Sequence, residues 1–356
     1  MPKRILMTGN DAMAEGAIRA GCRFYYGYPI TPQNEVPEYM ARRMPEVGGT
    51  FIQSESELAA VNMVLGSSAA GARAMTSSSS PGISLKQEGI SYMAGCELPA
   101  VIANVQRGGP GLGDIGASQA DYFQAVKGGG HGDYRLIVLA PYSVQEMADL
   151  TTLAFDLADR YRSPVMILSD AQIGQMMEPL VWHDYAPPAD LPPKDWALTG
   201  AAGRPKRIVR SFFLYPGQLE EHNIRLQRKF ARMREAEVRF EEINVEKAEV
   251  VIVAYGSAAR VAKGLVLRRA KSGAVGLLRP VTLWPFPEKR IRELAGEGKD
   301  FLVAEMSAGQ MLEDVKLAVE GRSKVGFYGR IGGAVVTIEE MTLKAQEMLA
   351  SRGVRA

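Results

Sequence analysis

Short apolar runs alternate with amphipathic segments along the first half of the chain. Two stretches predict helices: residues 58–70, which are apolar and rich in small side chains, and residues 144–161, which are amphipathic. Four runs have the length and apolar character of buried strands, namely 24–28, 100–105, 136–140 and 164–169. Strands that alternate with helices indicate a parallel sheet covered on both faces.

The pattern changes twice further along the chain. Residues 186–247 begin with an irregular stretch rich in proline and glycine, and a charged helix is predicted over about 217–242. Beyond residue 248 the alternation resumes, with strands predicted at 249–256, 274–278 and 300–305 and a helix that reaches about residue 271. We therefore expect an α/β domain over 1–185, a linker with one charged helix over 186–247, and a smaller α/β domain over 248–356.

Composition excludes several classes of protein. The 356 residues carry a formal net charge of only +2, with no long basic run, so nucleic-acid binding is not expected. No window of about 18 apolar residues predicts a membrane span, and the apolar part of the N-terminus is too short for a signal peptide, so we expect a cytoplasmic protein. The two cysteines, Cys22 and Cys96, are expected to be reduced and buried, and they are too few for a four-thiolate iron–sulfur cluster. Three histidines without metal-ligand spacing predict no metal site in this chain.

Three polar clusters follow predicted strands, where parallel sheets bind ligands. In the first cluster, residues 27–32, Thr31 followed by Pro32 is typical of a helix start. Thr31 could serve only as that cap. Alternatively, its hydroxyl and the free amides at the helix start could bind an anion.

The second cluster, residues 54–60, contains Ser54 and Glu57 in a capping-box spacing. In the structural interpretation, Glu57 only accepts a hydrogen bond from the Ser54 amide. In the functional interpretation, Glu57 is a poorly solvated acid at the start of a buried helix, whose neutral form burial favours. Such an acid could exchange a proton with a ring nitrogen of a cofactor.

The third cluster is formed by residues 104–111, where Arg107 directly follows a strand and precedes several glycines. A guanidinium at this position could bind a carboxylate in a bidentate manner. It could equally be a structural arginine paired with a local acid such as Asp114. No convincing GxGxxG or GxxxxGK[ST] motif occurs, so a Rossmann dehydrogenase and a P-loop enzyme are disfavoured.

Taken together, the clusters resemble the α-type subunit of 2-oxoacid:ferredoxin oxidoreductases over nearly the whole chain. The turn Tyr28-Pro29-Ile30-Thr31-Pro32 is similar to the signature turn of that family. The resemblance implies that Tyr28, Pro29 and Ile30 contact the cofactor and that Thr31 contacts the carboxylate end of the substrate. It also implies that Glu57, rather than Glu55, bonds N1′ of the thiamine aminopyrimidine, and that Arg107 binds the 2-oxoacid carboxylate.

The resemblance extends to fold, reaction and partners. It implies a thiamine-diphosphate-binding-type parallel sheet domain of the pyrimidine side, followed by a domain similar to the C-terminal domain of transketolases. The implied reaction is oxidative decarboxylation of a 2-oxoacid to acyl-CoA and CO₂, with reduction of ferredoxin. Segments 113–124, 127–135 and 173–179 most resemble the branched-chain type, which acts on 2-oxoisovalerate, and the 2-oxoglutarate type is the alternative.

One motif of thiamine-diphosphate enzymes is absent. The Gly-Asp-Gly element with its following Asn residues, which binds the diphosphate through Mg²⁺, does not occur in the sequence. The resemblance therefore implies that thiamine diphosphate is shared with a β subunit, which carries the Mg²⁺ site. The [4Fe-4S] clusters would also lie on partners, the proximal one on the β subunit and others on a ferredoxin-like subunit, and a γ subunit is implied as well. Two other hypotheses stay open: a non-catalytic assembly subunit of the same fold, and a self-sufficient transketolase-like enzyme, against which the missing motif argues.

Overall fold

The computed structural model describes residues 4–268 and 273–353. Its strands are, in chain order, β1 Arg4–Thr8, β2 Phe24–Gly27, β3 Thr50–Gln53, β4 Ala74–Ser78, β5 Ala100–Gln106, β6 Ile137–Leu139, β7 Pro164–Asp170, β8 Met177–Val181, β9 Phe240–Ile243, β10 Val250–Val253, β11 Val275–Pro280, β12 Thr282–Trp284, β13 Asp300–Glu305 and β14 Val325–Gly329. The helices are α1 Gly9–Arg19, α2 Glu35–Glu46, α3 Glu57–Ala69, α4 Ser80–Gly95, α5 Tyr122–Val126, α6 Val144–Tyr161, α7 Ala171–Gln175, α8 Gln218–Ala236, α9 Gly256–Arg268, α10 Glu288–Gly296, α11 Gln310–Val319 and α12 Ile338–Ser351.

A seven-stranded sheet organises the first half of the chain. Its strand order is β12-β6-β7-β5-β4-β2-β3, and every neighbouring pair is parallel except β12 with β6. The central strands β4, β5 and β7 are buried along their whole length, which the apolar runs predicted for β5 and β7, whereas β4 was not predicted. The separate strands β1 and β8 form a two-stranded antiparallel ribbon.

A second sheet organises the C-terminal part. Its order is β14-β13-β10-β11-β9, and β9 is the antiparallel edge strand. Helices α9 and α12 pack on this sheet and bury a separate apolar cluster that includes Leu265, Met341 and Leu349. The α/β architecture with a parallel first sheet and a smaller second sheet confirms the predicted fold class.

Local sequence signals correctly predicted the bounds of two elements and most of a third. Helix α6 has the predicted bounds: the Ser143 hydroxyl accepts a hydrogen bond of 3.2 Å from the Glu146 amide, and Arg162 ends the helix in a left-handed conformation. Strand β13 also has its predicted bounds. The predicted helix up to residue 271 is observed as α9 as far as Arg268, and residues 269–272 lie outside the described part of the chain.

The charged helix predicted over 217–242 is shorter than expected. Helix α8 ends at Ala236, and residues 240–243 form strand β9 instead. Strand β9 pairs with β11, and ion pairs join Glu241 to Arg279 on β11 (3.0 Å) and Glu242 to Arg290 on α10 (2.7 Å). These partners are distant in sequence, so helix periodicity could not indicate them.

One strand crosses from the C-terminal part of the sequence into the first sheet, and the two sheets share a hydrogen-bonded contact. Strand β12, from the C-terminal part of the sequence, adds to the first sheet beside β6, while β9 adds to the second sheet. Gln119 lies fully buried between the sheets: its side-chain amide donates to the Tyr255 carbonyl (2.8 Å) and accepts from the Met306 amide (2.9 Å). The two halves are therefore held together by backbone-directed bonds as well as by apolar packing.

Both cysteine thiols are free, as predicted, but only Cys22 is buried and Cys96 is half-buried. Within residues 4–268 and 273–353, no helix combines the length and the hydropathy needed to cross a lipid bilayer.

Candidate active site

The three polar clusters meet at one edge of the seven-stranded sheet. Thr31 follows β2, Glu57 follows β3 and Arg107 follows β5, and these strands are parallel. Because the carboxyl ends of parallel strands lie at the same edge, the predicted site residues come together there. Residues 78–80, which run from the end of β4 to the start of α4, fill the position between them.

Glu57 is not part of a capping box, so that interpretation was wrong. Helix α3 is capped by Ser56, whose hydroxyl accepts a hydrogen bond of 3.2 Å from the Ala59 amide. The Ser54 amide donates instead to the Gly27 carbonyl (2.9 Å), because Ser54 continues the pairing of β3 with β2. Glu57 is 6% exposed, and its carboxyl makes no hydrogen bond to any described residue. An acid in this state lacks the structural role that the sequence offered for it.

Gly82 leaves the space next to the Glu57 carboxyl. A methyl group at Gly82 would lie 2.6 Å from Glu57 Oε1 and would also collide with the Ser78 hydroxyl. That hydroxyl is buried and has no hydrogen-bond partner among the residues described. A buried acid and an unpaired hydroxyl around a glycine offer polar groups to the edge of a heteroaromatic ring. These residues fit the aminopyrimidine of thiamine diphosphate.

Lys86 is a further charged residue at this site, and the sequence interpretation missed it. It is fully buried on α4, and its ammonium has no hydrogen-bond partner in the described chain. Burial lowers the pKa of Lys86 to about 8, and the neighbouring Glu57 carboxylate opposes that shift. The available signal was its spacing from Gly82 and Gly89, which places all three on one face of α4.

Arg107 binds the backbone on two sides of the site. Its Nη1 donates to the Thr31 carbonyl and its Nη2 to the Leu112 carbonyl, each at 2.9 Å. The side chain is 7% exposed, and its Nε–H has no partner in the described residues. The alternative pairing with Asp114 is not observed: the Asp114 carboxylate accepts from the Ile115 amide at 2.7 Å. The guanidinium therefore keeps donors available to a ligand.

Thr31 is not a helix cap, which corrects the first interpretation of this residue. Helix α2 begins only at Glu35, preceded by Asn34, because residues 30–33 close a separate turn in which the Gln33 amide donates to the Ile30 carbonyl (3.1 Å). Thr31 is half-buried and lies against Arg107. Of the other turn residues, Tyr28 and Pro29 are exposed.

A cavity of about 550 Å³ opens beside Arg107, between the two sheets. Ser80 and Asp121 line it from the first sheet, and residues 306–308 line it from the second. The Ser80 hydroxyl accepts from the Arg107 amide (3.0 Å) and donates to Asp121 Oδ2 (2.6 Å). Burial raises the pKa of Asp121, while the bonds from Ser80 and Asn104 oppose that shift. The cavity therefore places the Arg107 guanidinium near a carboxyl whose Oδ2 already accepts hydrogen bonds from Ser80 and Asn104.

Comparison with known protein families identifies two matching segments. Residues 15–243 match the family described as pyruvate flavodoxin/ferredoxin oxidoreductase, thiamine diphosphate-binding. Residues 248–341 match the family described as pyruvate:ferredoxin oxidoreductase core domain II.

Whole-chain relatives agree with these matches. The chain is 55% identical to the ketoisovalerate oxidoreductase subunit VorB of Methanothermobacter marburgensis, covering 96% of this chain and 97% of that one. It is 38% identical to the 2-oxoglutarate synthase subunit KorA of Methanothermobacter thermautotrophicus, covering 96% and 98%.

Two solved structures share the fold. A 2-oxoglutarate:ferredoxin oxidoreductase from Magnetococcus marinus, with 2-oxoglutarate, coenzyme A and succinyl-CoA bound, superposes with a TM-score of 0.86 at 29% identity, covering 97% of this chain and 65% of that one. A split-gene transketolase (an inactive β4 tetramer) superposes with a TM-score of 0.59 at 15% identity, covering 97% and 96%, and shows the fold alone. The chain belongs to the thiamine-diphosphate-binding pyruvate flavodoxin/ferredoxin oxidoreductase family, and it is a subunit of a 2-oxoacid:ferredoxin oxidoreductase.

Proposed function

We propose that this chain supplies the aminopyrimidine side of the thiamine-diphosphate site in an enzyme that oxidatively decarboxylates a branched-chain 2-oxoacid. One observation carries the proposal. Glu57 is buried beside Gly82, and its carboxyl has no hydrogen-bond partner in the described chain. The 55% identity to a ketoisovalerate oxidoreductase subunit supports the branched-chain class over 2-oxoglutarate, for which the identity is 38%.

Glu57 holds a proton at N1′ of the ring in this proposal. Thiamine diphosphate, when bound, supplies the carbanion-stabilising centre on which decarboxylation depends. The role of the protein is to hold the Glu57 carboxyl in a largely buried position facing one ring atom, and its position at the start of α3 fixes it there. Tyr28, Pro29 and Ile30 form the turn that would contact the same cofactor.

Arg107 and Thr31 orient the substrate in this proposal. A guanidinium has five N–H donors. Two backbone carbonyls accept hydrogen bonds from Arg107, one from each of its two terminal nitrogens. The remaining donors, including the unpaired Nε–H, can bind the 2-oxoacid carboxylate until it leaves as CO₂. The Thr31 hydroxyl would bind the same end of the substrate from the opposite side.

The remaining components would come from other chains. The proposed reaction converts a 2-oxoacid, CoA and two oxidised ferredoxins to acyl-CoA, CO₂, a proton and two reduced ferredoxins. A β subunit would hold the diphosphate, Mg²⁺ and a [4Fe-4S] cluster, a ferredoxin-like subunit would carry further clusters that pass electrons to ferredoxin, and a γ subunit would complete the complex. We place the complex in the cytoplasm, consistent with the two free thiols. Residues 1–185, 186–247 and 248–356 remain our proposed division into pyrimidine-side domain, linker and transketolase C-terminal-like domain.

Purification of the complex from its native host tests this proposal. Mass spectrometry and an iron assay on the purified complex would identify the partner chains and the clusters. A substrate panel with CoA and ferredoxin should then give the highest kcat/KM with 2-oxoisovalerate. A higher kcat/KM with 2-oxoglutarate would instead support the alternative class. A complex with no 2-oxoacid activity, or one that retains full activity after Glu57→Gln, would support a non-catalytic assembly role for this chain.

A further inference from the structure

Residues 206–214, in the segment that precedes α8, have the burial pattern of an extended strand. The side chains between them alternate, with exposed residues separated by the partly buried Arg207, Val209, Ser211 and Phe213. Alternation of this kind, residue by residue, is typical of an extended backbone. Among the described residues, no backbone amide or carbonyl of this segment forms a hydrogen bond with another backbone group. The segment therefore lies outside both sheets, with its backbone edge open.

The inward side chains attach this segment to the rest of the protein. Arg207 Nη1 donates to the Ala197 carbonyl (2.7 Å), and Val209 packs against the main hydrophobic core. The ring of Phe213 lies 5.0 Å from the ring of His222, which is buried on α8. The segment is therefore held in place on one side before any other chain binds.

The outward side chains form an exposed apolar surface. Ile208 is 66% exposed, Phe212 is 73% exposed and Leu214 is 76% exposed, and the next residue, Tyr215, is 72% exposed. Single apolar residues are common at protein surfaces, but a contiguous exposed group is typical of an interaction site. An unpaired strand edge has the same significance, because its free amides and carbonyls can pair with another chain. The two features coincide in this segment.

The charge of the segment indicates the kind of partner. Between Trp196 and Leu219 the chain has no acidic residue, and its four basic residues there are Arg204, Lys206, Arg207 and Arg210. The arginines bind backbone carbonyls or, at Arg210, an aromatic ring, and no carboxylate of the described chain pairs with them. Two copies of the segment paired with each other would collect these cations without a counter-charge, which destabilises strand pairing. The charge therefore favours a partner with acidic residues over a second copy.

We propose that residues 206–214 are a docking strand, to which a partner subunit of the oxidoreductase adds an extended segment by β-pairing. The partner residues opposite Ile208 and Phe212 are apolar, and those opposite Lys206 and Arg210 carry carboxylates. Because the chain is a subunit of a 2-oxoacid:ferredoxin oxidoreductase, partner chains are present in the assembled enzyme. This contact goes beyond the proposed function, since it assigns a surface for assembly and involves none of the proposed active-site residues.

Hydrogen–deuterium exchange tests the pairing of the backbone. The complex with all its subunits is compared with the isolated full-length chain, and exchange is measured at single-residue resolution by mass spectrometry. In the isolated chain the amides of residues 206–214 should exchange freely. In the complex, alternate amides should exchange at least about 10-fold more slowly, because one edge of the strand is then hydrogen-bonded. Unchanged exchange in the complex would overturn the proposal.

Carbodiimide cross-linking of the same complex tests the chemistry of the partner. This reagent joins the Lys206 ammonium to a carboxylate in direct contact, with loss of water. We expect a link from Lys206 to an Asp or Glu of a partner subunit, flanked by apolar residues at alternate positions. Lys206→Arg keeps the charge, cannot form this link and serves as the control. A link to a second copy of this chain, or no link, would contradict the acidic partner.

Phe212→Asp and Arg210→Glu should each raise the Kd of the chain for the remaining subunits roughly 10- to 100-fold, since they alter the centre of the contact. The thermal midpoint of the isolated chain should stay unchanged, because both side chains are exposed. Leu317→Asp is the matched control: Leu317 is 71% exposed on α11, and its variant should assemble like wild type.

Wild-type Kd values in both variants would overturn the proposal. A weakened complex whose unaltered form shows no exchange protection would also overturn it, because the surface would then be bound without strand pairing. If a variant fails to fold, the exchange and cross-linking experiments decide, because they use the unaltered chain.

Discussion

Arg107 Nη1 donates a hydrogen bond of 2.9 Å to the Thr31 carbonyl and so joins the ends of two strands, β5 and β2, that are not neighbours in the sheet. This bond spans the end of β4, which lies between the two strands, and it uses the Thr31 carbonyl rather than the Thr31 hydroxyl. Both residues can thus hold one end of a small anion while their relative position stays fixed.

Arg107→Lys should lower kcat/KM for the 2-oxoacid by roughly 10- to 100-fold, the value of one charged hydrogen bond. Lysine keeps the charge but lacks the planar fork that can bind a carboxylate and two carbonyls together. Steady-state kinetics of the assembled complex checks this. The control is Arg23→Lys, since Arg23 also donates to two backbone carbonyls, at 2.8 and 3.0 Å, but outside the site. Unchanged kcat/KM in Arg107→Lys would remove Arg107 from the substrate site.

Glu57→Gln should reduce kcat by about 10²–10⁴-fold, because glutamine keeps the size of the side chain but cannot take or give the proton. Single-turnover measurements with saturating thiamine diphosphate separate this loss from weak cofactor binding. Glu55→Gln serves as the control: Glu55 is exposed and accepts only from the Ser56 hydroxyl (2.9 Å), so its variant should be fully active. Equal losses in the two variants would contradict the assignment to Glu57.

Gly82→Ala should abolish tight cofactor binding while the chain still folds. The added methyl group would lie 2.6 Å from Glu57 Oε1 and would displace that carboxyl from its position. Titration of the cofactor-free complex with thiamine diphosphate measures the effect. Gly296→Ala is the control, because nothing lies within 4 Å of the added methyl, and it should stabilise helix α10 by up to about 1 kcal/mol. Wild-type cofactor affinity in Gly82→Ala would show that the ring does not approach this glycine.

Gln119→Leu should destabilise the contact between the two sheets. It leaves the Met306 amide buried without its partner, at a cost of roughly 1–3 kcal/mol, while the Tyr255 carbonyl keeps only the hydrogen bond from the Ala259 amide (3.1 Å). Urea unfolding of the purified chain measures the loss. Gln172→Leu, at an exposed position on α7, should change the free energy of unfolding by less than about 0.5 kcal/mol. A Gln119→Leu chain as stable as this control would mean that the Gln119 side chain does not help to join the sheets.

The stability of the chain should depend on pH through Lys86. Burial lowers the pKa of Lys86 from 10.5 to about 8, so between these pH values the unfolded chain holds a proton that the folded chain lacks. The contribution of Lys86 to the free energy of unfolding therefore rises with pH across this window. Below pH 8, Lys86→Met should be more stable than wild type by up to about 3 kcal/mol, and the difference should vanish above pH 10.5.

Urea unfolding of both proteins at a series of pH values checks this dependence. A constant difference between them would show that Lys86 titrates normally in the folded chain.

Much of the fold follows from local signals in the sequence. Strand β5 and helix α6 could be predicted because a continuous apolar run and an amphipathic period with a serine cap each specify one structure. The end of α8 could not, since β9 forms only through pairing with β11 and with Arg279 and Arg290. Periodicity contains no information about such distant partners.

The candidate site also has residues that the sequence could predict and residues that it could not. Thr31, Glu57 and Arg107 could be selected because they follow strands whose carboxyl ends must meet. The purely structural roles that the sequence also allowed for them were wrong, for reasons that only the three-dimensional structure shows. The Ser54 amide, for example, donates to the Gly27 carbonyl and not to Glu57. Lys86 was missed because a lysine inside a helix ordinarily predicts an exposed position.

A structure of the assembled complex with thiamine diphosphate bound tests the central claim most directly. The measured quantity is the distance from the Glu57 carboxylate to N1′ of the aminopyrimidine ring. We predict a hydrogen bond of about 2.5–3.0 Å, with the ring against Gly82 and the diphosphate held by another chain. A ring bound elsewhere, or a Glu57 side chain turned onto its own backbone while the cofactor is present, would contradict the account.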